Sequence, residues 1–221
     1  MFGNEKVGFN CNAYVLILFI NIMLEIFKKN ITFDKLLQDE KTIALKQLSS
    51  DFVSYPEFIK YFNDIVIISK HNLVIGINFT YAWMPTMFDF RSDNFEEVIK
   101  ILNSAKQGQI PTENELEILK KCFNNSLVGA SKLLHFINPS QFAIWDSRVY
   151  RYLTNEEPHS YRLDKYKSYF AFLDFCNFIT NHDDYLKIHN SVIEKVGYQM
   201  TKIRTAELIM YIKGEQPKTI K

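Results

Sequence analysis

Residues 127–153 read LVGASKLLHFINPSQFAIWDSRVYRYL, and the local physics of this stretch decides how the chain is built. Ser126 stands before a helical pattern, LVGASKLLHFI, and is placed as its N-cap. Asn138-Pro139 must end that helix, because the residue before a proline is pushed out of the helical region. An apolar approach follows, Phe142-Ala143-Ile144-Trp145, and then Asp146, placed as the N-cap of the helix SRVYRYL. The stretch therefore predicts helix, tight turn, apolar segment, helix.

Working outward, the same signals recur on both sides. Asp93-Asn94-Phe95-Glu96 fits a capping box opening EEVIKILNSAK, which Gly108 to Pro111 closes. Thr112-Glu113-Asn114-Glu115 fits a second box for ENELEILKKCFNN, with Leu116, Leu119 and Phe123 at helical spacing. Downstream, KYKSYFAFLDFCNFITN, DYLKIHNSVIEKVG with Gly197 at its end, and TKIRTAELIMYIKG with Gly214 read as three more helices. Upstream, helices are expected near 13–29, 41–49 and 56–63. Between 65 and 79 the alternation LVIGINF fits either one short strand or a buried helix. The fold class is mainly α, and neither an internal repeat nor a low-complexity tract interrupts it.

The chain has 221 residues, 47% hydrophobic and 23% charged, with only 7 Gly and 6 Pro, enough to bury a sizeable core and inconsistent with a disordered or fibrous chain. Its 26 basic and 25 acidic residues leave a formal charge of +1, so no global field draws it to a polyanion. Arginine is scarce: there are five, and three of them (Arg148, Arg151, Arg162) fall within fifteen positions. The last 36 residues carry 7 basic against 3 acidic side chains, which makes that end the more basic one. Cys11, Cys122 and Cys176 are widely spaced, with no CxxC or neighbouring His pair, and read as packing thiols of a cytoplasmic protein.

The most apolar segment, AYVLILFINIMLEIF at 13–27, is interrupted by Asn21 and Glu25, whereas a spanning helix needs about 20 apolar residues. With Glu5 offsetting Lys6 and no small-residue cleavage site, it does not read as a signal peptide either. A buried helix is the expectation, with no membrane partner.

Phosphate-loop, dinucleotide, HExxH and EF-hand motifs are all missing from the sequence, and the five His are scattered, so neither a metal nor a cofactor is expected. What remains is the stretch around Asp146. Its order of Gly129, small residues, Lys132, an apolar helix, Pro139, an apolar run and Asp146-Ser147-Arg148-Val149 resembles the active-site segment of the helix-hairpin-helix DNA glycosylases. The wording is most similar to compact bacterial members, some of which act in phage defence, including enzymes that excise glucosylated hydroxymethylcytosine. The resemblance implies a two-lobed, all-helical architecture with the active site between lobes. Residues 93–160 would form the lobe with a degenerate hairpin and the catalytic Asp, and 1–92 plus 161–221 the other, within one compact unit.

It also implies base excision from double-stranded phage or damaged DNA by base flipping, acting as a monomeric hydrolase that leaves an abasic site. Asp146 is the catalytic carboxylate, because breaking an N-glycosidic bond develops positive charge on the sugar that a fixed carboxylate stabilises. The alternative is that Asp146 only caps its helix. Lys132 follows Gly129 by three residues where the family's nucleophilic lysine follows by two, so strict register puts Ser131 in that slot, and Leu127-Val128-Gly129 replaces the Gly-x-Gly hairpin. These departures favour a monofunctional enzyme, with Lys132 assisting Asp146 or touching DNA; a solvated helix lysine is the plain alternative. Ser131, Ser147, Arg148 and Arg151 are candidate DNA contacts. Tyr81, Trp83, Met84 and Trp145 are candidate walls of a base pocket, or ordinary core. The competing function is a non-catalytic helical DNA-binding or adaptor module.

Overall fold

A computed structural model describes residues 11–44, 50–84 and 94–215. Among them the chain forms twelve helices and no strand. They are α1 (Cys11–Asn30), α2 (Phe33–Thr42), α3 (Ser50–Asn63), α4 (Lys70–Ala82), α5 (Phe95–Lys106), α6 (Glu113–Lys121), α7 (Leu127–Ile137), α8 (Ser147–Thr154), α9 (Ser160–Leu163), α10 (Tyr166–Thr180), α11 (Tyr185–Val196) and α12 (Lys202–Lys213). The undecided region 65–79 is helical: Ser69 caps α4, with Asn72 returning the bond to the Ser69 N–H.

Side-chain caps open six of the helices, α2, α4, α5, α6, α8 and α12, with some corrections to the sequence reading. Thr112 and Glu115 form the expected reciprocal box at α6. At α5 the N-cap sits one residue later than expected, Asn94 accepting from the Glu97 N–H without the reciprocal backbone bond of a box, while Asp93 lies outside the described residues. Ser126 does occupy the N-cap position of α7, yet its side chain makes no cap bond. Asp164, 37 residues downstream, accepts from the Leu127 N–H at 3.1 Å instead. The helix expected at 41–49 is not where it was placed: α2, which the sequence reading did not anticipate, starts after Thr32, whose side chain accepts from the Lys35 N–H, and ends at Thr42; Ile43 is extended and 45–49 lie outside the described residues. The helix expected at 56–63 runs from Ser50, with Pro56 inside it.

Helices α3, α4, α5 and α6 pack on α7, and α2, α8, α10 and α11 pack on α12, with α1 lying along α10 and α8. Thus α3 and α4, which the sequence reading assigns to the lobe of the chain ends, side with α7, and α8 sides with α1 and α12. Apolar side chains from both groups form one continuous core. The expectation of a buried first helix needs correction: α1 sinks Phe27 into the core but leaves Val15, Ile17, Leu18 and Ile22 about half exposed. Among the described residues no helix is long and apolar enough to cross a membrane. Cys122 and Cys176 are buried, as a packing role requires, and the side chain of Cys11 lies outside the described residues.

Candidate functional site

Asp146 is positioned by the start of α8. Its extended backbone (φ −146°) turns the side chain back onto the helix, where Oδ1 accepts from the Arg148 N–H at 2.9 Å and the Val149 N–H at 3.0 Å. Both cap bonds fall on Oδ1 and pin the carboxylate, while among the described residues Oδ2 accepts no hydrogen bond. Ser131 fixes the approach to this cap from below. Its hydroxyl accepts from the Trp145 N–H at 3.0 Å and lies 3.2 Å from the Trp145 carbonyl, tying α7 to the segment before Asp146.

Beside Asp146 opens a cavity of about 350 Å³. Lys132 from α7 and Asp146 both line it although each is buried, at 9% and 8% exposure. The Lys132 ammonium donates to the Trp83 carbonyl at 2.9 Å, which ties α7 to the end of α4. Burial pushes its pKa below the usual lysine value; Arg204 acts the same way, while Asp146, Glu207 and Asp51 oppose. Trp83, Phe52, Tyr198 and Tyr211 supply aromatic walls, and Arg148 lies at the rim over the Tyr211 ring at 4.5 Å, with Glu215 at 3.0 Å.

The deepest polar groups come from α12. Arg204 donates to Oε2 of Glu207, three residues on, and both line the cavity with side chains at most 8% exposed. Arg204 Nε and Glu207 Oε1 are buried without a hydrogen-bond partner. Burial raises the Glu207 pKa to about 7, with Asp146 adding to the rise and Arg204 and Lys132 opposing it. The Arg204 guanidinium also stacks over Tyr55 at 4.8 Å, and Tyr55 donates to His135 Nε2 at 2.9 Å. His135 Nδ1 is 2.7 Å from the Phe142 carbonyl, which can only accept, so Nδ1 carries the proton and the ring is neutral. Complete burial holds its pKa down to about 3, with the Arg204 charge acting in the same direction.

No family model, no curated protein and no solved structure matches this chain. The assignment of roles therefore rests on where the structure places each residue.

The structure brings Asp146, Lys132, Trp83 and Arg148 to one cavity. It does not bring the others there. Ser131 is fully buried in its bonds to the 145 backbone, so a phosphate contact is excluded by packing; of the neighbours Ser131 and Lys132, the lysine faces the cavity. Tyr81 packs on Phe123, and Trp145 packs on Phe172 and donates to the Leu163 carbonyl, so both belong to the core. Met84 is half-buried against that core. Ser147 is half-buried at the first position of α8. Arg151 donates to the Gly214 carbonyl at 2.6 Å and faces a separate depression of about 270 Å³ with Lys35 and Lys213.

The degenerate hairpin expected at residues 127–129 is not a hairpin. Leu127, Val128 and Gly129 form the first turn of α7, and the bend between α6 and α7 is made by Cys122 to Ser126, with Asn124 and Asn125 both left-handed (φ 52° and 59°). Gly129 is required by packing: an added Cβ would come within 2.6 Å of the Phe123 side chain. Among the described residues no group of His, Cys, Asp and Glu could hold a metal ion.

Sequence reasoning missed Arg204 and Glu207. A signal existed, because Arg204 is one of only five arginines and the pair sits in IRTAELIM, where the neighbouring positions are apolar or small. An Arg and a Glu three apart in such a run mark a buried pair as readily as an exposed one.

Proposed function

We propose that this protein is a monofunctional DNA glycosylase that hydrolyses the N-glycosidic bond of a flipped, modified base and leaves an abasic site. The observation that carries the reading is the pinned Asp146 carboxylate facing an aromatic-walled cavity together with Lys132. A carboxylate fixed by two backbone N–H groups does not reorganise when positive charge builds on the sugar, which is what stabilises the transition state. Trp83, Phe52, Tyr198 and Tyr211 offer stacking faces for an extruded base. The helices grouped on α7 and those grouped on α12 are the two lobes of this reading, with the cavity at their junction. Arg148, held at the rim by Glu215, is the side chain placed to exchange that partner for a phosphate. The excised base in this reading is a modified cytosine such as those of phage DNA, and the role is defence.

The experiment is mass spectrometry of bases released from several genomic DNAs, including DNA with glucosylated hydroxymethylcytosine. Wild-type protein releases a base and Asp146→Asn does not; full activity in Asp146→Asn sinks the assignment. DNA retention without release by either protein points to the non-catalytic binding module. A second chemical reading has one observation in its favour, the lowered pKa of Lys132, which increases the fraction of free amine able to form a Schiff base. Borohydride trapping of a protein–DNA adduct that disappears in Lys132→Gln would establish that reading and end the monofunctional one.

A further inference from the structure

We propose that Glu207 is the general acid of this cavity, delivering a proton to the departing base, and that the substrate is accordingly a base uncharged in DNA and not an alkylated, already cationic purine. The inference rests on the glycosylase reading and deepens it. Glu207 lines the same cavity as Asp146 and Lys132, its side chain is fully buried, and its two oxygens are unequal. Oε2 accepts from Arg204, whereas Oε1 has no partner. A carboxyl group with one oxygen engaged as an acceptor carries its proton on the other, so Oε1 is the donor atom. A purely structural ion pair gains nothing from an orphaned buried oxygen, which costs free energy for as long as it stays unpaired.

The titratable groups whose charges couple to Glu207 are Arg204 and Tyr211 on α12, Asp146 at the start of α8, Lys132 on α7, Tyr55 on α3 and Cys176 on α10. Tyr55, Cys176 and Tyr211 are all held neutral by burial, leaving two cations and two carboxyls. Burial outweighs the Arg204 and Lys132 charges and raises the Glu207 pKa well above the usual carboxylate value, toward the neutral range in which general acids are most effective. Two carboxyls with different surroundings divide acid from stabilising roles.

The chemistry balances without a co-reactant other than water. As the C1′–N bond breaks, its electron pair goes to the base nitrogen, and the Glu207 proton goes to an acceptor atom of the base. Water adds its oxygen to C1′ and gives its proton to Asp146. Solvent then returns a proton to Glu207 and removes one from Asp146. A cationic N7-alkylpurine departs as a neutral molecule without this proton, which is why an acid at this place signals an uncharged substrate base.

The test is single-turnover base release from two probes, DNA with glucosylated hydroxymethylcytosine and DNA with N7-methylguanine, across neutral to alkaline pH. For wild-type protein on the first probe the rate should fall tenfold per pH unit above about 7. Glu207→Gln, which keeps the Arg204 contact, should lose about 10²–10⁴-fold and the pH dependence with it. Its loss on N7-methylguanine should be at least tenfold smaller, or N7-methylguanine should not be released at all. A flat wild-type profile on the first probe, equal losses on both probes, or release of N7-methylguanine alone would overturn the proposal while leaving the glycosylase reading standing. The wild-type profile decides even if Glu207→Gln fails to fold. No release from either probe overturns both readings together.

Discussion

In the proposed reading Asp146 holds two tasks in one side chain, capping α8 and stabilising the sugar, and they separate experimentally. Asn caps a helix about as well as Asp, so Asp146→Asn should melt like wild type while losing base release. Asp146→Ala removes both bonds to Arg148 and Val149 and should lose about 1 kcal/mol by chemical denaturation; an equal loss in Asp146→Asn would show that charge, not capping, holds α8. Tyr55→Phe should cost about 1–3 kcal/mol, because it strands His135 Nε2 as a buried acceptor. His135 cannot answer by changing tautomer, since Nδ1 must donate to the Phe142 carbonyl. The buried imidazole and carboxyl also set opposite pH trends. His135 drops from 6.5 to about 3, so its neutral-form stability is complete above 6.5 and is lost on acidification through that window. Glu207 rises from 4.5 to about 7, so folding weakens as pH climbs through that window and the acid ionises in its buried place. The melting temperature of Glu207→Gln relative to wild type should therefore increase from pH 5 to pH 8; a constant difference would show that Glu207 is not the titrating group.

Among the elements, the junction of α8 and α12 sets the distance between Asp146 and the Arg204–Glu207 pair. Gly214 ends α12 with an ordinary backbone (φ −80°), so conformational freedom does not account for it. Close approach does: a Cβ there would lie 1.9 Å from the Arg148 carbonyl oxygen, and the Gly214 carbonyl accepts from Arg151. Gly214→Ala should force the two helices apart, costing about 1–3 kcal/mol and lowering any activity more than Ala at exposed Gly197 position costs through its left-handed turn. Thermal melts of the two variants beside base-release rates would show a site effect at 214 alone. Helix α7 works similarly. One face carries Ser131 and Leu134 into the core, and the next residue along, Lys132, enters the cavity.

Across the whole molecule, a net charge of +1 means that the DNA affinity of the proposed reading would have to come from a small number of local contacts. Arg148→Ala should weaken binding uniformly across DNA sequences and reduce the slope of log affinity against log salt by about 1. An unchanged slope would remove Arg148 from the interface. What the sequence by itself determined is local: the helical class, the stop at Asn138-Pro139, the box at Thr112–Glu115, and Asp146 as the N-cap of α8. These depend on φ restriction and on hydrogen bonds between residues two to four apart, which short stretches of sequence specify. Which side chains share the cavity depends on long-range packing. Trp83, Lys132, Asp146, Arg204 and Glu207 come from four helical regions spread over more than half the chain, and no local pattern links them. Aromatic identity alone could not separate Trp83 at the cavity from Trp145 in the core. Neighbours on a helix differ by about 100° in direction, so whether Ser131 or Lys132 met the cavity was decided only when α7 was packed on its neighbours.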